Sequence, residues 1–333
     1  MRIGVNGFGR IGRYFTRMAL NSPGIEVAMV NDLSDIETLA HLFKYDSVHG
    51  INPNHFEIEG NSLVFANGQK IVFTTVPNPA DIPWSEQKVD LVLESTGFFR
   101  SELKANGHLG GTVQQVIISA PPEDQSPTVV LGVNEQILET VGPILSNASC
   151  TTNNAAPMLK VLKDLMPIES AYITTVHSYT TDQKLHDSPH KDLRRARAAN
   201  SSIVPTSTGA AKALTKIFPD LDGKIGGCGI RVPVPNGSMT DITIVSPKNV
   251  EIAKINAAMK LASENELKGI LGYTEDPIVS VDILGNPLSC LFDAQLTSVV
   301  GQMVKVVGWY DNEAGYSNRL VDLIQRLRLS KFS

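Results

Sequence analysis

The sequence predicts an α/β protein of two domains, the first built on a parallel sheet and the second of α+β type with a mixed or antiparallel sheet. The chain has 333 residues, about twice the usual size of one domain. Its first half alternates short β-branched runs with helical segments, whereas the second half has longer strands with few helices between them. A polar cluster at 146–154 separates these two parts of the sequence.

Near-continuous apolar runs mark the strands of the first domain and are typical of a parallel sheet with helices on both faces. These runs are residues 2–6, 26–30, 70–73, 89–93, 115–118 and 128–133. The second domain begins with a predicted helix that carries Met158, Leu159, Leu162 and Leu165 on one face. Its strands are predicted at 171–176, 230–234, 241–246 and 304–309. A last amphipathic helix is predicted at about 317–328.

Composition excludes several classes of protein. The 29 basic and 34 acidic residues give a net charge of −5, which argues against a protein that coats nucleic acid or anionic membranes. We find no apolar run long enough to span a bilayer. The three cysteines include no C-x-x-C pair, which excludes a disulfide framework and favours a reducing compartment such as the cytoplasm.

A glycine motif follows the first strand directly and precedes a helical segment. It reads Gly7-Phe8-Gly9-Arg10-Ile11-Gly12, the G-x-G-x-x-G of Rossmann-type dinucleotide-binding domains. The first glycine permits a tight turn, the second lets a pyrophosphate approach the backbone, and the third lets helix and strand pack closely. Asp32 lies at the end of the second strand, where its carboxylate can accept hydrogen bonds from ribose hydroxyls and repel a 2′-phosphate. The predicted cofactor is therefore NAD rather than NADP.

Cys150 is the candidate nucleophile because it lies in a polar cluster just before a helix, whose N-terminus favours a thiolate. A free cysteine is more often a small buried apolar residue than a nucleophile. The interpretation of Cys150 as a nucleophile therefore depends on its polar neighbours. Pro157 either marks the first turn of that helix or kinks a helix already under way. His177, at the end of a strand and beside hydroxyl residues, is the candidate general base, although a structural histidine fits the same pattern.

The segment 191–197 carries a charge of +3, which is typical either of a solvated loop or of a phosphate site. The hydroxyls and glycine of 206–210, together with Arg231, favour phosphate recognition. His186 and His190 have the spacing of a metal pair, but Pro189 disrupts a shared helix face, so we predict no metal.

Over nearly its whole length the chain resembles the phosphorylating glyceraldehyde-3-phosphate dehydrogenase family. The most specific match is Ser149-Cys150-Thr151-Thr152-Asn153. The other matching segments are 6–13, 30–33, 44–50, 192–199, 208–213, 231–233 and 310–313. The resemblance implies an NAD-binding domain over 1–148, completed by a C-terminal helix at 315–333, and a catalytic domain over 149–314.

The resemblance also implies the site residues and partners. Cys150 is implied as the nucleophile that forms a thioester, and His177 as its acid–base partner. The implied ligands of inorganic phosphate are Ser149, Thr151, Thr208 and Gly209, together with Arg195 or Arg197. The implied ligands of the phosphate of glyceraldehyde 3-phosphate are Thr180 and Arg231. The implied cofactor contacts, beyond the glycine motif with its Arg10 and Ile11, are Asp32, Thr96, Ser119 and Asn312. The family implies a homotetramer.

Some positions depart from the usual family pattern. Asn154 stands where a second cysteine is common, Ala314 where a tryptophan is usual, and Pro77 where an arginine is frequent. The alternative reading is an erythrose-4-phosphate dehydrogenase, which shares the fold and the cysteine–histidine pair. Thr180 and the run 208–212 favour the triose enzyme.

Overall fold

The computed structural model describes residues 1–331, and side chains as far as residue 330. The chain forms two compact units. The first comprises Met1–Val129, Glu135–Ala148 and the C-terminal segment from Ser317, and the second comprises Val130–Asn134 and Ser149–Tyr316. The predicted C-terminal helix at 315–333 corresponds to a helix from Ala314 to Lys331, and its last two predicted positions lie outside the described residues.

The first unit is a twisted sheet with helices between its parallel strands. Its helices are α1 (Arg10–Ala19), α2 (Ile36–Lys44) and α3 (Glu102–Ala105). Its strands are β1 (Arg2–Asn6), β2 (Glu26–Asn31), β3 (Tyr45–Asp46), β4 (Gly50–Ile51), β5 (Phe56–Glu59), β6 (Ser62–Phe65), β7 (Lys70–Thr74), β8 (Leu91–Glu94), β9 (Gln115–Ile118) and β10 (Ile144–Ser146).

Six of these strands run parallel in the order β7-β2-β1-β8-β9-β10, and β6 and β5 extend the sheet antiparallel beyond β7. Counted along the chain, the parallel strands have the order 3-2-1-4-5-6 of dinucleotide-binding folds. Ligands of such sheets bind at the carboxyl ends of the strands where the order reverses, here between β1 and β8. The predicted Rossmann-type architecture is confirmed.

The second unit is a mixed sheet with helices packed against it. Its helices are α4 (Cys150–Leu165), α5 (Ala210–Ile217) and α6 (Ile252–Glu264). Its strands are β11 (Ser170–Ser178), β12 (Val204–Thr206), β13 (Ile225–Val232), β14 (Ser238–Val245), β15 (Leu271–Thr274), β16 (Cys290–Asp293), β17 (Ser298–Val300) and β18 (Met303–Tyr310). Seven strands follow the order β12-β13-β11-β14-β18-β16-β15, and β17 pairs with β18. Only β11–β13 and β15–β16 are parallel pairs, so the predicted mixed α+β sheet is confirmed.

The last helix, α7 (Ala314–Lys331), packs in part on the first unit. Gln325 donates a side-chain hydrogen bond to the Pro23 carbonyl at 2.8 Å. A Cβ at Gly24 would lie 2.9 Å from the Arg328 guanidinium carbon. These contacts tie the C-terminal segment to the loop between α1 and β2.

Two sequence predictions about strands are wrong. No strand forms over 128–133, because the Asn134 side chain accepts from the Val130 N–H and the chain turns, with Val133 N–H bonding back to the Val130 carbonyl. The strand predicted at 230–234 instead spans Ile225–Val232. Its glycine-rich beginning is held extended by β11 on one side and partly by β12 on the other, and Pro233 has no N–H to continue the ladder.

None of the helices within residues 1–331 combines the length and apolar character that a bilayer crossing needs. In the same part of the chain, no three histidine, cysteine or acidic side chains lie close enough together to form a metal site.

Candidate active site

The glycine turn of the first unit has the geometry that its motif predicts. Gly7 adopts φ +93°, and a Cβ there would lie 2.7 Å from the backbone nitrogen of Thr96. A Cβ at Gly12 would lie 2.2 Å from the Gly7 carbonyl oxygen, so this glycine allows α1 to pack closely on the turn. A Cβ at Gly9 would meet no atom within 4 Å, which leaves open space above the turn for a ligand.

Asp32 connects the end of β2 to this turn. Its Oδ2 accepts from the Phe8 N–H at 2.7 Å, and its Oδ1 accepts from the Ser34 N–H at 3.0 Å. Each carboxylate oxygen keeps further acceptor capacity, since an ionised carboxylate has about four lone-pair positions. The carboxylate is therefore fixed by the backbone and can still accept from ribose hydroxyls.

A cavity of about 320 Å³ lies at the carboxyl edge of this sheet. Four predicted cofactor residues line it, namely Gly7, Gly9, Asp32 and Thr96. Sequence reasoning missed several others, namely Asn6, Asn31, Leu33, Val76, Ser95, Phe98 and Phe99, and noted Pro77 only as a departure. Leu33 and Phe98 are 68% and 76% exposed, and an apolar pair of this kind suits the flat face of a base. These residues fit a dinucleotide such as NAD.

The other predicted cofactor residues lie differently. The Arg10 guanidinium forms two hydrogen bonds with the Asp46 carboxylate, at 2.6 and 3.0 Å, which hold this side chain against Asp46. Burial opposes ionisation of Asp46, but hydrogen bonds from Arg10 and from two backbone N–H groups prevail and lower its pKa to about 2. Ser119 follows β9, where its N–H donates to the Glu94 carbonyl, and does not line the cavity.

In the second unit, Cys150 is the first residue of α4. Ser149 is the N-cap, and its Oγ accepts from the Thr152 N–H at 3.1 Å. Pro157 lies inside this helix, so of the two alternatives the helix is already under way at the proline. The thiol is thus placed at the positive end of a 16-residue helix.

His177 lies beside this thiol because of strand register. His177 on β11 pairs with Arg231 on the parallel strand β13, which puts both side chains on one face. The His177 Nε2 lies 3.4 Å from the Cys150 Sγ, and the Arg231 Nη1 lies 2.5 Å from the His177 Nδ1. The Ser178 carbonyl accepts from the His177 Nδ1 at 2.7 Å and from the Arg231 Nη1 at 3.0 Å, so the neutral ring carries its proton on Nδ1 and leaves Nε2 as the acceptor. The predicted nucleophile, base and phosphate-binding arginine are therefore in direct contact.

Burial governs the ionisation of these three groups. Burial and then the positive charge of Arg231 lower the pKa of His177 to about 3. The protein atoms around the thiol raise the pKa of Cys150, although part of the residue remains accessible, and Arg231 and the Thr151 N–H oppose that increase. Burial lowers the pKa of the Arg231 guanidinium. The surrounding protein groups therefore favour a thiol beside a neutral imidazole over a preformed thiolate–imidazolium pair.

A chain of hydroxyls, which the sequence did not indicate, supports this site. The Tyr310 hydroxyl lies 2.9 Å from both the Thr151 and Thr175 hydroxyls, and Thr175 donates to the Met239 carbonyl. Because a carbonyl only accepts, Thr175 accepts from Tyr310, which in turn accepts from Thr151. The Thr151 hydroxyl proton therefore points to Tyr310. The Tyr310 ring also stands edge-on to the His177 imidazole, with ring centroids 5.9 Å apart.

The predicted arginines of 191–197 differ in their surroundings. The Arg195 guanidinium donates to the Thr206 hydroxyl, the Asp182 carboxylate and the Ser207 carbonyl, at 2.8, 2.6 and 3.3 Å. It is thereby fixed next to Thr208 and Gly209, which precede α5. Arg197 is exposed, and its Nε donates to the Asp187 carboxylate at 2.8 Å.

The remaining predicted residues are Thr180 and Asn312. Thr180 begins a turn just after β11, in which its carbonyl accepts from the Gln183 N–H at 2.9 Å. The Asn312 Oδ1 accepts from the hydroxyls of Ser178 and Ser238, each at 2.8 Å. This fixes the orientation of the Asn312 amide.

Two family models match the chain, one for each part. Residues 1–102 match the NAD binding domain of glyceraldehyde 3-phosphate dehydrogenase, and residues 149–312 match its C-terminal domain. Curated relatives include a glyceraldehyde-3-phosphate dehydrogenase of Mycobacterium avium, 52% identical, and those of Bacillus cereus and Geobacillus stearothermophilus, each 51% identical. Each alignment covers 97% of this chain and 97% of the relative.

Proposed function

This chain belongs to the glyceraldehyde-3-phosphate dehydrogenase family, and from that premise we propose the reaction and the roles of its residues. It is an NAD-dependent oxidoreductase of glycolysis that converts glyceraldehyde 3-phosphate and inorganic phosphate to 1,3-bisphosphoglycerate. The observation that carries the proposal is the contact of Cys150 with His177, next to Arg231. The reported relatives are named for the triose phosphate, and no observation favours erythrose 4-phosphate.

The cysteine and histidine share the proton transfers. As the Cys150 sulfur attacks the aldehyde carbon, the neutral His177 Nε2 accepts the thiol proton and passes it to the aldehyde oxygen, which gives a thiohemiacetal and restores the neutral ring. The same ring can then accept the hydroxyl proton of the thiohemiacetal as hydride leaves its carbon. NAD, when bound, supplies the acceptor for the hydride that leaves this carbon. Inorganic phosphate then attacks the Cys150 thioester, which breaks the carbon–sulfur bond and releases the acyl phosphate with the thiol restored.

Two phosphate subsites are assigned to the second unit. Arg231 and Thr180 bind the phosphate of the substrate, which is supported by the position of Arg231 against His177. Thr208 and Gly209 bind inorganic phosphate together with Ser149 and Thr151. The N-terminus of α5 supports this second assignment, because it directs backbone N–H groups at an anion.

The arginine of the inorganic phosphate subsite is Arg195 rather than Arg197. Three of the five N–H donors of Arg195 bond to protein groups, which leaves two for an anion. Thr151 contributes its backbone N–H at the start of α4, since its hydroxyl proton points to Tyr310.

The cofactor site comprises the glycine turn, Asp32 and Thr96 in the first unit, with Ile11 and the backbone of Arg10 at the start of α1. Asp32 selects NAD, because a 2′-phosphate would meet its negative charge. The remaining proposed cofactor contacts are Ser119, which follows β9, and Asn312, whose amide is held by Ser178 and Ser238.

We also propose a homotetramer that acts in the cytoplasm. The face of the second sheet that carries Tyr172 and Met303 leaves these side chains 51% and 44% exposed, and the segment 185–203 exposes Leu185, Leu193 and Ile203. Apolar surface of this extent is typical of subunit contacts. The three cysteines are free, in keeping with a reducing compartment. Light scattering on the purified protein tests the tetramer.

One assay tests the reaction. Purified protein is mixed with NAD, glyceraldehyde 3-phosphate and inorganic phosphate, and NADH absorbance is followed. We expect a rise that requires phosphate and that Cys150→Ser abolishes. No rise, or a rise that survives Cys150→Ser, would contradict the proposal, and erythrose 4-phosphate and NADP in the same assay rank substrate and cofactor.

A further inference from the structure

A buried chain of polar side chains runs along the carboxyl edge of the first sheet, below the dinucleotide cavity. It connects the ends of β8, β1 and β2 through Glu94, Asn6 and Asn31. We propose that Glu94 is a positioning residue for the cofactor, whose carboxylate holds the floor of this cavity in its binding shape. The inference rests on the proposed function, because it concerns the same NAD site.

Glu94, the last residue of β8, is only 1% exposed, and both its oxygens accept hydrogen bonds. Its Oε2 accepts from the Asn6 Nδ2 at 2.6 Å and lies 3.1 Å from the His108 Nε2. Its Oε1 accepts from the Thr96 N–H at 2.8 Å and, in a short contact, from the Thr96 hydroxyl. One carboxylate thus joins three segments of the unit.

The donors on both sides of Glu94 have fixed directions. The Trp84 indole N–H donates to the His108 Nδ1 at 3.3 Å, so the neutral ring carries its proton on Nε2 and donates to Glu94. On the other side, the Asn31 Nδ2 donates to the Asn6 Oδ1 at 2.8 Å, which leaves the Asn6 Nδ2 to donate to Glu94. The network has one arrangement, in which Glu94 is the common acceptor.

This acceptor lies directly behind the cofactor site. Asn6, Asn31 and Thr96 all line the cavity, whereas Glu94, His108 and Trp84 do not. Thr96 also packs against the glycine turn, since a Cβ at Gly7 would lie 2.7 Å from its nitrogen. A shift of Thr96 therefore displaces both a predicted cofactor contact and the turn that faces the pyrophosphate.

An amide cannot replace this carboxylate. If the amide nitrogen of a Glu94→Gln variant occupied the Oε2 position, it would face the donors of Asn6 and His108. In the opposite orientation it would face the Thr96 N–H. In both cases a donor meets a donor, and one buried donor is left without an acceptor. Movement of Asn6 or Thr96 relieves the conflict and deforms the cavity.

The test is the dissociation constant of NAD, measured by isothermal titration calorimetry on the full-length protein. We expect Glu94→Gln to weaken NAD binding about tenfold or more, with kcat at saturating NAD within about twofold of the wild type. Glu94→Asp keeps the charge but shortens the side chain, so it should also weaken binding. If Glu94→Gln does not fold, Glu94→Asp carries the same test.

The matched control is Gln115→Ala. Gln115 is 2% exposed and donates to the Pro143 carbonyl at 2.9 Å, but it begins β9 and so lies at the opposite edge of the same sheet. We expect it to lower Tm while leaving NAD affinity within about twofold. Two results would overturn the positioning role alone. One is an unchanged NAD affinity in the folded Glu94 variants, and the other is an equal loss of NAD affinity in Gln115→Ala when Tm falls by the same amount. A wild-type protein that binds no NAD would overturn the proposed function as well.

Discussion

The imidazole of His177 lies between two groups of opposite chemical character, with its Nε2 3.4 Å from the Cys150 sulfur and its Nδ1 2.5 Å from the Arg231 guanidinium. Burial disfavours a positive charge on the ring and so lowers the pKa of His177, and the nearby guanidinium charge lowers it further. A neutral ring is a proton acceptor at once, without first losing a proton. This arrangement supports the proposed role of His177 as the general base that activates the thiol.

The same arrangement predicts an acid-sensitive stability. The pKa of His177 is about 3 in the folded protein, whereas an unfolded histidine has a pKa of about 6.5. Between these values the unfolded chain binds a proton that the folded protein excludes, so the free energy of unfolding decreases as the pH falls. This one group contributes up to about 1.4 kcal/mol per pH unit. We expect Tm, measured by calorimetry, to decrease from pH 6.5 downward.

The variant that isolates this contribution is His177→Gln, which should flatten the acid slope of Tm relative to the wild type. His186→Gln, which removes an exposed histidine, controls for the loss of one imidazole. Parallel slopes in the wild type and His177→Gln would show that His177 does not carry the effect.

Asp32 is predicted to control cofactor choice. Replacing it with alanine removes the acceptor of the ribose hydroxyls and the charge that repels a 2′-phosphate. We expect Asp32→Ala to raise the KM for NAD about tenfold and to increase the ratio of kcat/KM for NADP over NAD. The change also leaves the Phe8 N–H without its acceptor, so some stability is lost with it.

Asp35→Ala separates these effects. Asp35 is the N-cap of α2, where its Oδ1 accepts from the Thr38 N–H at 2.7 Å, and losing such a cap costs about 1 kcal/mol. It should lower Tm with no change in cofactor preference. The assignment of Asp32 is wrong if both variants shift the NADP-to-NAD ratio equally.

The two arginines of 191–197 are predicted to behave differently toward inorganic phosphate. Arg195 is fixed by three hydrogen bonds beside the start of α5, whereas Arg197 is exposed and bonds to an exposed carboxylate. We expect Arg195→Ala to raise the KM for phosphate at least tenfold, and Arg197→Ala to raise it less than twofold. Initial rates at varied phosphate distinguish them, and the reverse order would exchange the two assignments.

The features that sequence predicted well are those encoded within a few residues. The glycine spacing predicts the turn at Gly7 and the close approach at Gly12, and the polar cluster predicts a cysteine at a helix start. Each depends on local backbone conformation or on neighbours along the chain. The strand ending at His177 is local in the same sense.

What the sequence could not predict depends on register between distant strands. Tyr310 meets Thr151 across 159 positions, and Glu94 meets Asn6 across 88, so no spacing rule relates these residues. The glycines at the start of β13 are poor strand formers that neighbouring strands hold extended, and Asn134 turned a β-branched run into a loop. Long-range contacts decided these outcomes except at Asn134, whose side chain bonds to the N–H of Val130, four residues earlier in the chain.

The asparagine at position 154, in place of a cysteine, affects how we expect the site to respond to oxidants. It lies one helical turn after Cys150, is buried, and its Nδ2 donates to the carbonyls of Ser289 and Trp309 at 3.3 and 3.2 Å. Cys150 has no second cysteine on its own helix. Cys228 on β13 lies three strand positions, roughly 10 Å, before Arg231, which pairs with the His177 that contacts the Cys150 thiol. Cys290 lies with Met158 around Gly308, and Met158 is eight residues further along α4 than Cys150. A disulfide needs Cα atoms within about 7 Å. Oxidation of Cys150 should therefore stop at the sulfenic acid.

Peptide mass spectrometry after one equivalent of hydrogen peroxide tests this expectation. In the wild type we expect a sulfenic acid on Cys150 that dimedone traps, with activity restored by added thiol. In Asn154→Cys the two cysteines are four residues apart on one helix, about 6 Å between Cα atoms, and we expect a disulfide that lightens the peptide by two hydrogens. An intramolecular disulfide of Cys150 in the oxidised wild type would contradict this expectation. It would show that a cysteine outside α4 can reach Cys150.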